Sequence, residues 1–333
     1  MGLRWWRVGL VCFAASFGLL WFLGVAWPAA AYGLHVDVIT VDGVINPVSA
    51  GYVNRGIRTA EGDGAACLVL LLDTPGGLSS STEEIVRAIL NSDVPAVVYV
   101  WPRGARAASA GVYITYASHV AAMAPNTRIG AATPVALGEG GEPTELPAEM
   151  RRKLEQDALA NLRASAQERG RNLEWADLAV RAAASATARE ALDLHVIEIL
   201  AEDLSDLLEQ LDGRAVTLSS RLVVTLHTAG ATVQYLPMNA LERFLLVITD
   251  PTVAYLLLSV GMLGLWIEFS HPGISLPGVL GGVCILLGLY GLGTLPVNWA
   301  GLFLILFAFI LFGFDLFAST HAVLTIGGVV SFI

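Results

Sequence analysis

Leu72-Asp73-Thr74-Pro75-Gly76-Gly77 closes an apolar run at residues 67–72, and Gly104-Ala105-Arg106-Ala107-Ala108-Ser109-Ala110-Gly111 follows a second run at 96–100. Short β-rich runs of this kind, bounded by Gly, Pro and Asp, read as buried strands. Others lie at 36–41, 119–123 and 196–200. Helical segments separate them: one near 48–59, one after Ser81, whose spacing to Glu84 forms a capping box, and one beginning just after Gly104. A long helix runs from near Pro147 to a stop before Gly170. This alternation predicts a layered α/β domain over residues 33–221. The Gly-rich segment beyond Pro134 predicts a loop, and the runs from 215 to 235 predict a β-hairpin within a β-rich connector that ends the domain and fills 222–250.

Three features of this domain can carry chemistry, and each has a plainer reading. Gly76 and Gly77, beyond a strand end, can present backbone N–H groups to an anion because no side chain blocks the approach; an ordinary turn has the same composition. Ser109 sits among small residues where a helix begins, and the positive end of the helix dipole favours a developing alkoxide or oxyanion; a simple N-cap serine looks alike. Lys153 is the only lysine beside eighteen arginines. An arginine cannot act as a base near neutral pH, whereas a lysine can, although Asp157 four residues on offers Lys153 a surface ion pair. His119 reads more readily as a packing residue than as a base.

Outward from the domain, the chain becomes membrane material. The 333 residues are 55% hydrophobic and only 14% charged, below the roughly 25% usual in soluble proteins. Arg4 and Arg7 precede an apolar run at 8–27, and Ala29 and Ala31 supply a cleavage site, so residues 1–32 read as a signal peptide or signal anchor. The last basic residue is Arg243. Apolar stretches at 252–269, 278–295 and 299–317 predict a multi-helix transmembrane domain at 251–333. A fourth stretch, at 322–333, is too short to cross and suggests truncation at the C-terminal end. Glu268 and Asp315 lie near stretch ends and are expected to reach the interface, while Gly261, Gly264, Gly281, Gly282 and Gly288 allow close helix packing. The positive N-terminus places the α/β domain on the extracytoplasmic side of a multi-pass plasma (inner) membrane protein.

Several classes are excluded or disfavoured. A formal charge of −10 disfavours nucleic acid. Cys12, Cys67 and Cys284 form neither a disulfide framework nor a zinc site, and no metal or cofactor is expected.

The residues resemble the long form of the NfeD membrane proteins, whose exported domain is similar to Clp protease and signal peptide peptidase A. The resemblance rests on Val41-Asp42-Gly43-Val44-Ile45-Asn46-Pro47, the two stretches quoted first, Met123-Ala124-Pro125-Asn126-Thr127, Ile129-Gly130-Ala131-Ala132 and Gly170-Arg171-Asn172. It implies a Clp/crotonase-like α/β fold and a serine endopeptidase with a Ser-Lys dyad. Ser109 matches the nucleophile, and Gly76, Gly77 and the Ala110 amide match the oxyanion hole. The lysine that the resemblance leads one to expect before Ala166-Gln167-Glu168 is replaced by Arg163. Lys153 is left as the substitute base, ten residues earlier, about 15 Å along an ideal helix. The resemblance further implies a stomatin-like membrane protein as substrate or partner, cleavage within apolar segments, and a homo-oligomer of at least two chains. A proteolytically inactive scaffold for a stomatin-like partner is the alternative from another class. An acyl-coenzyme A hydratase or isomerase is a second enzyme alternative, disfavoured by export and membrane anchoring.

Overall fold

The run Cys67 to Leu72 is buried along its whole length, as a strand must be when helices cover both faces of a parallel sheet. The computed structural model describes residues 35–135, 147–270, 276–292 and 307. In chain order its elements begin β1 (His35–Asp42), α1 (Pro47–Asp63), β2 (Cys67–Asp73), α2 (Ser79–Leu90), β3 (Ala96–Val100), β4 (Arg106–Ala108), α3 (Ala110–Ala117), β5 (Val120–Met123) and β6 (Arg128–Gly130). They continue with α4 (Ala148–Arg169), α5 (Leu173–Arg181), β7 (Ser185–Thr187), α6 (Ala188–Asp193), β8 (Ile199–Leu200), α7 (Leu204–Leu211), β9 (Ala215–Thr217), β10 (Val223–Thr225) and β11 (Thr232–Tyr235). Three helices follow: α8 (Ala240–Ile248), α9 (Pro251–Ser270) and α10 (Leu276–Gly291).

The main sheet has the order β11-β1-β2-β3-β5-β8, and every neighbouring pair is parallel. One face packs Ile39, Leu70, Val98 and Met123 under the helices that carry the site; the other packs Val38, Val69, Tyr99 and Ala122 against α7 and the β9–β10 hairpin. Each Val, Leu, Ile or Met side chain among these contributes about 1.5–3 kcal/mol of burial. A smaller sheet, β4-β6-β7, stands beyond the carboxyl ends of the main strands. The layered α/β class expected from the sequence is the fold found, and α1 and α4 occupy the expected segments. Asn46 caps α1 by accepting from the Val48 and Ser49 amides, with Pro47 in the first turn and left-handed Gly64 at the end.

Local expectations differ at four places. Residues 106–108 are strand rather than helix: they pair with β6, and Ala107 bridges Thr74, so long-range pairing overrides the helix propensity of the alanines. Helix α2 starts at Ser79, not after Ser81. The Leu78 amide donates to the Ile45 carbonyl, which turns the chain into the helix earlier, and Ser81 is buried inside the first turn. The strand expected at 196–200 is confined to Ile199–Leu200. Of the hairpin expected at 215–235, only β9 and β10 pair antiparallel; β11 instead extends the main sheet beside β1.

Helix α9 is apolar and twenty residues long, enough for about 30 Å. It packs tightly on α10. A Cβ on Gly261 would lie 2.5 Å from Ile285, and one on Gly264 would lie 2.6 Å from the Pro277 carbonyl, the close approach expected of these glycines. Glu268 packs against Gly278 of α10. The expected signal region, the segment at 136–146, and the third and fourth apolar stretches (Phe307 apart) lie outside the described residues.

Candidate active site

Ser109 stands at the single residue joining β4 to α3, with φ 50° and ψ −109°. Such a backbone costs a non-glycine residue about 1–3 kcal/mol and persists only when surroundings impose it. Here they do: the Ser109 amide donates to the Gly130 carbonyl at 3.0 Å, and its own carbonyl accepts from Val112 at 2.9 Å. The side chain makes no capping hydrogen bond, so the simple N-cap reading does not hold. The hydroxyl is half-buried at the positive end of α3.

The β2–α2 loop comes to meet it. Gly76 has φ 121°, and a Cβ there would lie 2.8 Å from the Ser109 Cβ and 3.3 Å from its Oγ. The Gly76 amide donates to Thr74 Oγ1 at 3.1 Å, and the Gly76 carbonyl accepts from the Ile45 amide at 2.9 Å. Gly77 bridges Ile45 in parallel fashion, and a Cβ on it would lie 2.0 Å from the Ile45 carbonyl oxygen. Its own amide donates to no acceptor among the described residues. Ala110 opens α3, so its amide lacks an intrahelical acceptor. Ser109, Gly76, Gly77 and Ala110 are therefore brought together, with the Gly76 amide already engaged.

Ser109, Gly77 and Ala110 line a cleft of about 170 Å³ whose other wall is α4, through Leu154, Asp157, Ala158 and Asn161. Tyr113 lies on its floor, its phenol pushed up to about 12 by burial and then by the Asp157 charge. Lys153 is exposed and is not among the lining residues; it precedes Leu154 at the rim and lies one helical turn from Asp157. Arg163 points elsewhere on α4 and forms a bidentate ion pair with Asp177 of α5. That pair holds the Asp177 carboxyl below its usual range, chiefly through the guanidinium hydrogen bond.

His119 is at the wrong end of the sheet. It precedes β5 and its Nδ1 accepts from the Ala96 amide at 3.1 Å, at the amino edge of β3, whereas Ser109 and Gly76 lie beyond the carboxyl edge. Burial, followed by the nearby Arg169 and Arg171 charges, lowers its pKa to about 3. Among the described residues no group of three or more His, Cys, Asp or Glu is placed to hold a metal.

Sequence reasoning missed Thr74, which shapes the glycine loop, and Ile45, which brackets Gly77. Both stand inside stretches that were singled out, but their roles depend on pairing between distant segments. It also missed Asp157 and Asn161 as cleft residues; the spacing Leu154, Asp157, Ala158, Asn161 is that of one helix face.

Residues 35–220 match the family described as NfeD1b, N-terminal domain, and residues 252–333 match the NfeD integral membrane domain. The chain belongs to the NfeD family. It is thus a membrane protein that also carries an α/β domain. Membrane-bound protease PH1510 of Pyrococcus horikoshii is 36% identical over 300 residues, covering 90% of this chain and 67% of that protein. Membrane protein NfeD1b of Bacillus subtilis is 30% identical over 278 residues, covering 82% and 60%. This NfeD chain thus spans about two thirds or less of the length of these relatives. Among solved structures, a lysine-to-alanine mutant of the 1510-N membrane-bound stomatin-specific protease, in complex with a substrate peptide, superposes with a TM-score of 0.61. It is 35% identical and covers 66% of this chain and 99% of its own. A serine-to-alanine mutant of the same protease gives 0.58, again at 35% identity, with coverage of 62% and 99%.

Proposed function

We propose that this NfeD protein is a membrane-anchored serine endopeptidase that cleaves apolar segments of stomatin-like, membrane-associated proteins. The observation that carries the reading is the strained turn at Ser109, which holds a hydroxyl free of capping bonds beside the first amide of α3 and the Gly77 amide, which donates to no acceptor among the described residues. In this reading Ser109 Oγ attacks the scissile carbonyl carbon, and the Gly77 and Ala110 amides stabilise the oxyanion. Gly76 contributes space rather than a donor. The tetrahedral adduct collapses with loss of the protonated amine, and water then hydrolyses the acyl ester. Lys153 takes and returns the proton. From the rim it enters the cleft by a change of side-chain rotamer or of the first turns of α4 when substrate binds, and desolvation there favours its neutral form.

The relatives support this reading in kind: one is named a membrane-bound protease, and the solved relatives are stomatin-specific and include serine and lysine mutants. The exposed Leu78, Val135 and Leu154 around the cleft suit an apolar substrate. The extracytoplasmic, multi-pass arrangement with a dimeric or larger assembly belongs to the same proposal. An inactive scaffold for a stomatin-like partner is the second reading, favoured by the position of Lys153 outside the cleft and by the engagement of Arg163 with Asp177. Reaction with a serine-directed phosphonate separates the two.

A further inference from the structure

Helix α8 is held along one side and, ahead of Ile248, which is buried where α10 meets the helix end, exposed along the other. The Arg55 guanidinium of α1 donates two hydrogen bonds to the Glu242 carboxylate, both 2.7 Å, and the Asn46 side-chain amide donates to the Thr249 hydroxyl at 3.1 Å. Arg55 also donates to the Pro237 carbonyl at 2.9 Å, and the Tyr52 hydroxyl donates to the Leu236 carbonyl at 2.6 Å. These bonds clamp α8 and its approach segment onto α1. On a helix turning about 100° per residue, Glu242 and Thr249 share one side, and Phe244 and Val247 stand about 150° round from them, with Leu241 flanking. Those three apolar side chains are 64%, 53% and 58% exposed for Leu241, Phe244 and Val247.

We propose that this face is a lipid-binding surface, with Leu241, Phe244 and Val247 entering the interfacial layer of the bilayer that α9 crosses. Continuity is the first argument: α8 ends at Ile248 and the apolar α9 begins at Pro251. The second is packing. A Cβ on Gly291 of α10 would lie 2.1 Å from the Ile248 carbonyl oxygen, so the membrane hairpin abuts the end of α8. The third is that the polar clamp fixes the rotation of α8, so its apolar face cannot turn toward the α/β domain. Arg243, exposed between the two sides, donates from Nε to the Met238 carbonyl at 2.9 Å, which leaves its two terminal nitrogens for anionic headgroups. An amphipathic helix lying in the interface is the arrangement these features describe.

This seat has a consequence for the cleft, which rests on the reading of Ser109 given above, whereas the lipid surface itself does not. Asn46, which holds Thr249, adjoins Ile45, which brackets Gly77. Seating α8 in the interface thus holds the oxyanion side of the cleft near the membrane surface, where apolar segments leaving the bilayer come within reach.

The test places a photoreactive residue, Phe244→benzoylphenylalanine, in the full chain reconstituted in phosphatidylcholine and phosphatidylglycerol vesicles, with Asp206→benzoylphenylalanine on α7 as the control. Irradiation is expected to give a lipid adduct on the α8 peptide, at least about fivefold above the control and lowered by Leu241→Asp with Val247→Asp. An adduct to a second copy, an adduct to residues 293–333 of the same chain, or a lipid yield equal to the control overturns the proposal. Cleavage is not read, so failure here leaves the Ser109 assignment standing, and an unreactive Ser109 leaves the lipid surface standing.

Discussion

Gly76 and Ser109 are so close that any side chain on the glycine collides with the serine: a Cβ would stand 2.8 Å from Ser109 Cβ. The glycine also has φ 121°, which an alanine adopts only under strain. Gly76→Ala is expected to lower turnover at least about a hundredfold, by displacing a group that must be held to within fractions of an ångström. Steady-state cleavage of an apolar peptide, with a melting curve to show retained folding, checks it. Near-normal turnover contradicts the packing role.

Lys153→Arg keeps the charge but offers no neutral amine near neutral pH. If Lys153 is the base, turnover falls at least about a hundredfold while folding is unchanged. Arg163→Ala, which breaks only the half-exposed pair with Asp177, is expected to reduce activity less. Normal cleavage by the Lys153 variant removes the dyad as written.

His119→Gln separates position from proximity in sequence. Because His119 lies at the amino edge of the sheet, cleavage is expected to persist. Its effect is on acid stability. The folded pKa is about 3 against an ordinary 6.5, so below pH 6.5 the unfolded chain binds the proton that the folded chain refuses. Stability therefore falls as pH drops, by a slope approaching about 1.4 kcal/mol per pH unit for one proton. Thermal melts at pH 7 and pH 5 should show a shallower loss in the Gln variant; equal losses refute the burial account.

Arg171 holds the far end of α3, the helix that Ser109 precedes. Its guanidinium is 1% exposed, pairs with Glu198, and donates to the carbonyls of Thr115, Tyr116 and Ser118. Arg171→Met leaves Glu198 and three carbonyls short of a partner, and is expected to cost at least about 3 kcal/mol. The stacked Tyr116 and Trp175 rings give a near-ultraviolet signal for following the unfolding.

Legibility in the sequence followed the range of the interactions. The buried strands at 67–72 and 96–100 are visible because their runs are wholly apolar, and α4 is visible because Pro147 and Gly170 punctuate it. Strand β4 was not, since Arg106-Ala107-Ala108 has helical composition and becomes strand only by meeting Thr74 and β6. Ser109 was legible as a small polar residue before a helix, whereas its positive φ follows from Gly130, twenty-one residues on. The glycine pair offers Gly76 as an amide donor, whereas Thr74 Oγ1 takes that amide, a local bond that composition does not reveal. Lys153 stands out as the sole lysine, and its exposure on the rim is set by the phase of α4 against the cleft.

Every catalytic step proposed for this chain depends on an activated Ser109 hydroxyl. Incubating the membrane-extracted full chain with a serine-directed phosphonate, then mapping the adduct by peptide mass spectrometry, tests it most directly. One adduct per chain on Ser109, absent in Ser109→Ala and diminished in Gly76→Ala, is expected. No adduct under conditions that label an active serine protease, or an adduct on another serine that survives Ser109→Ala, contradicts it and leaves the scaffold reading in its place.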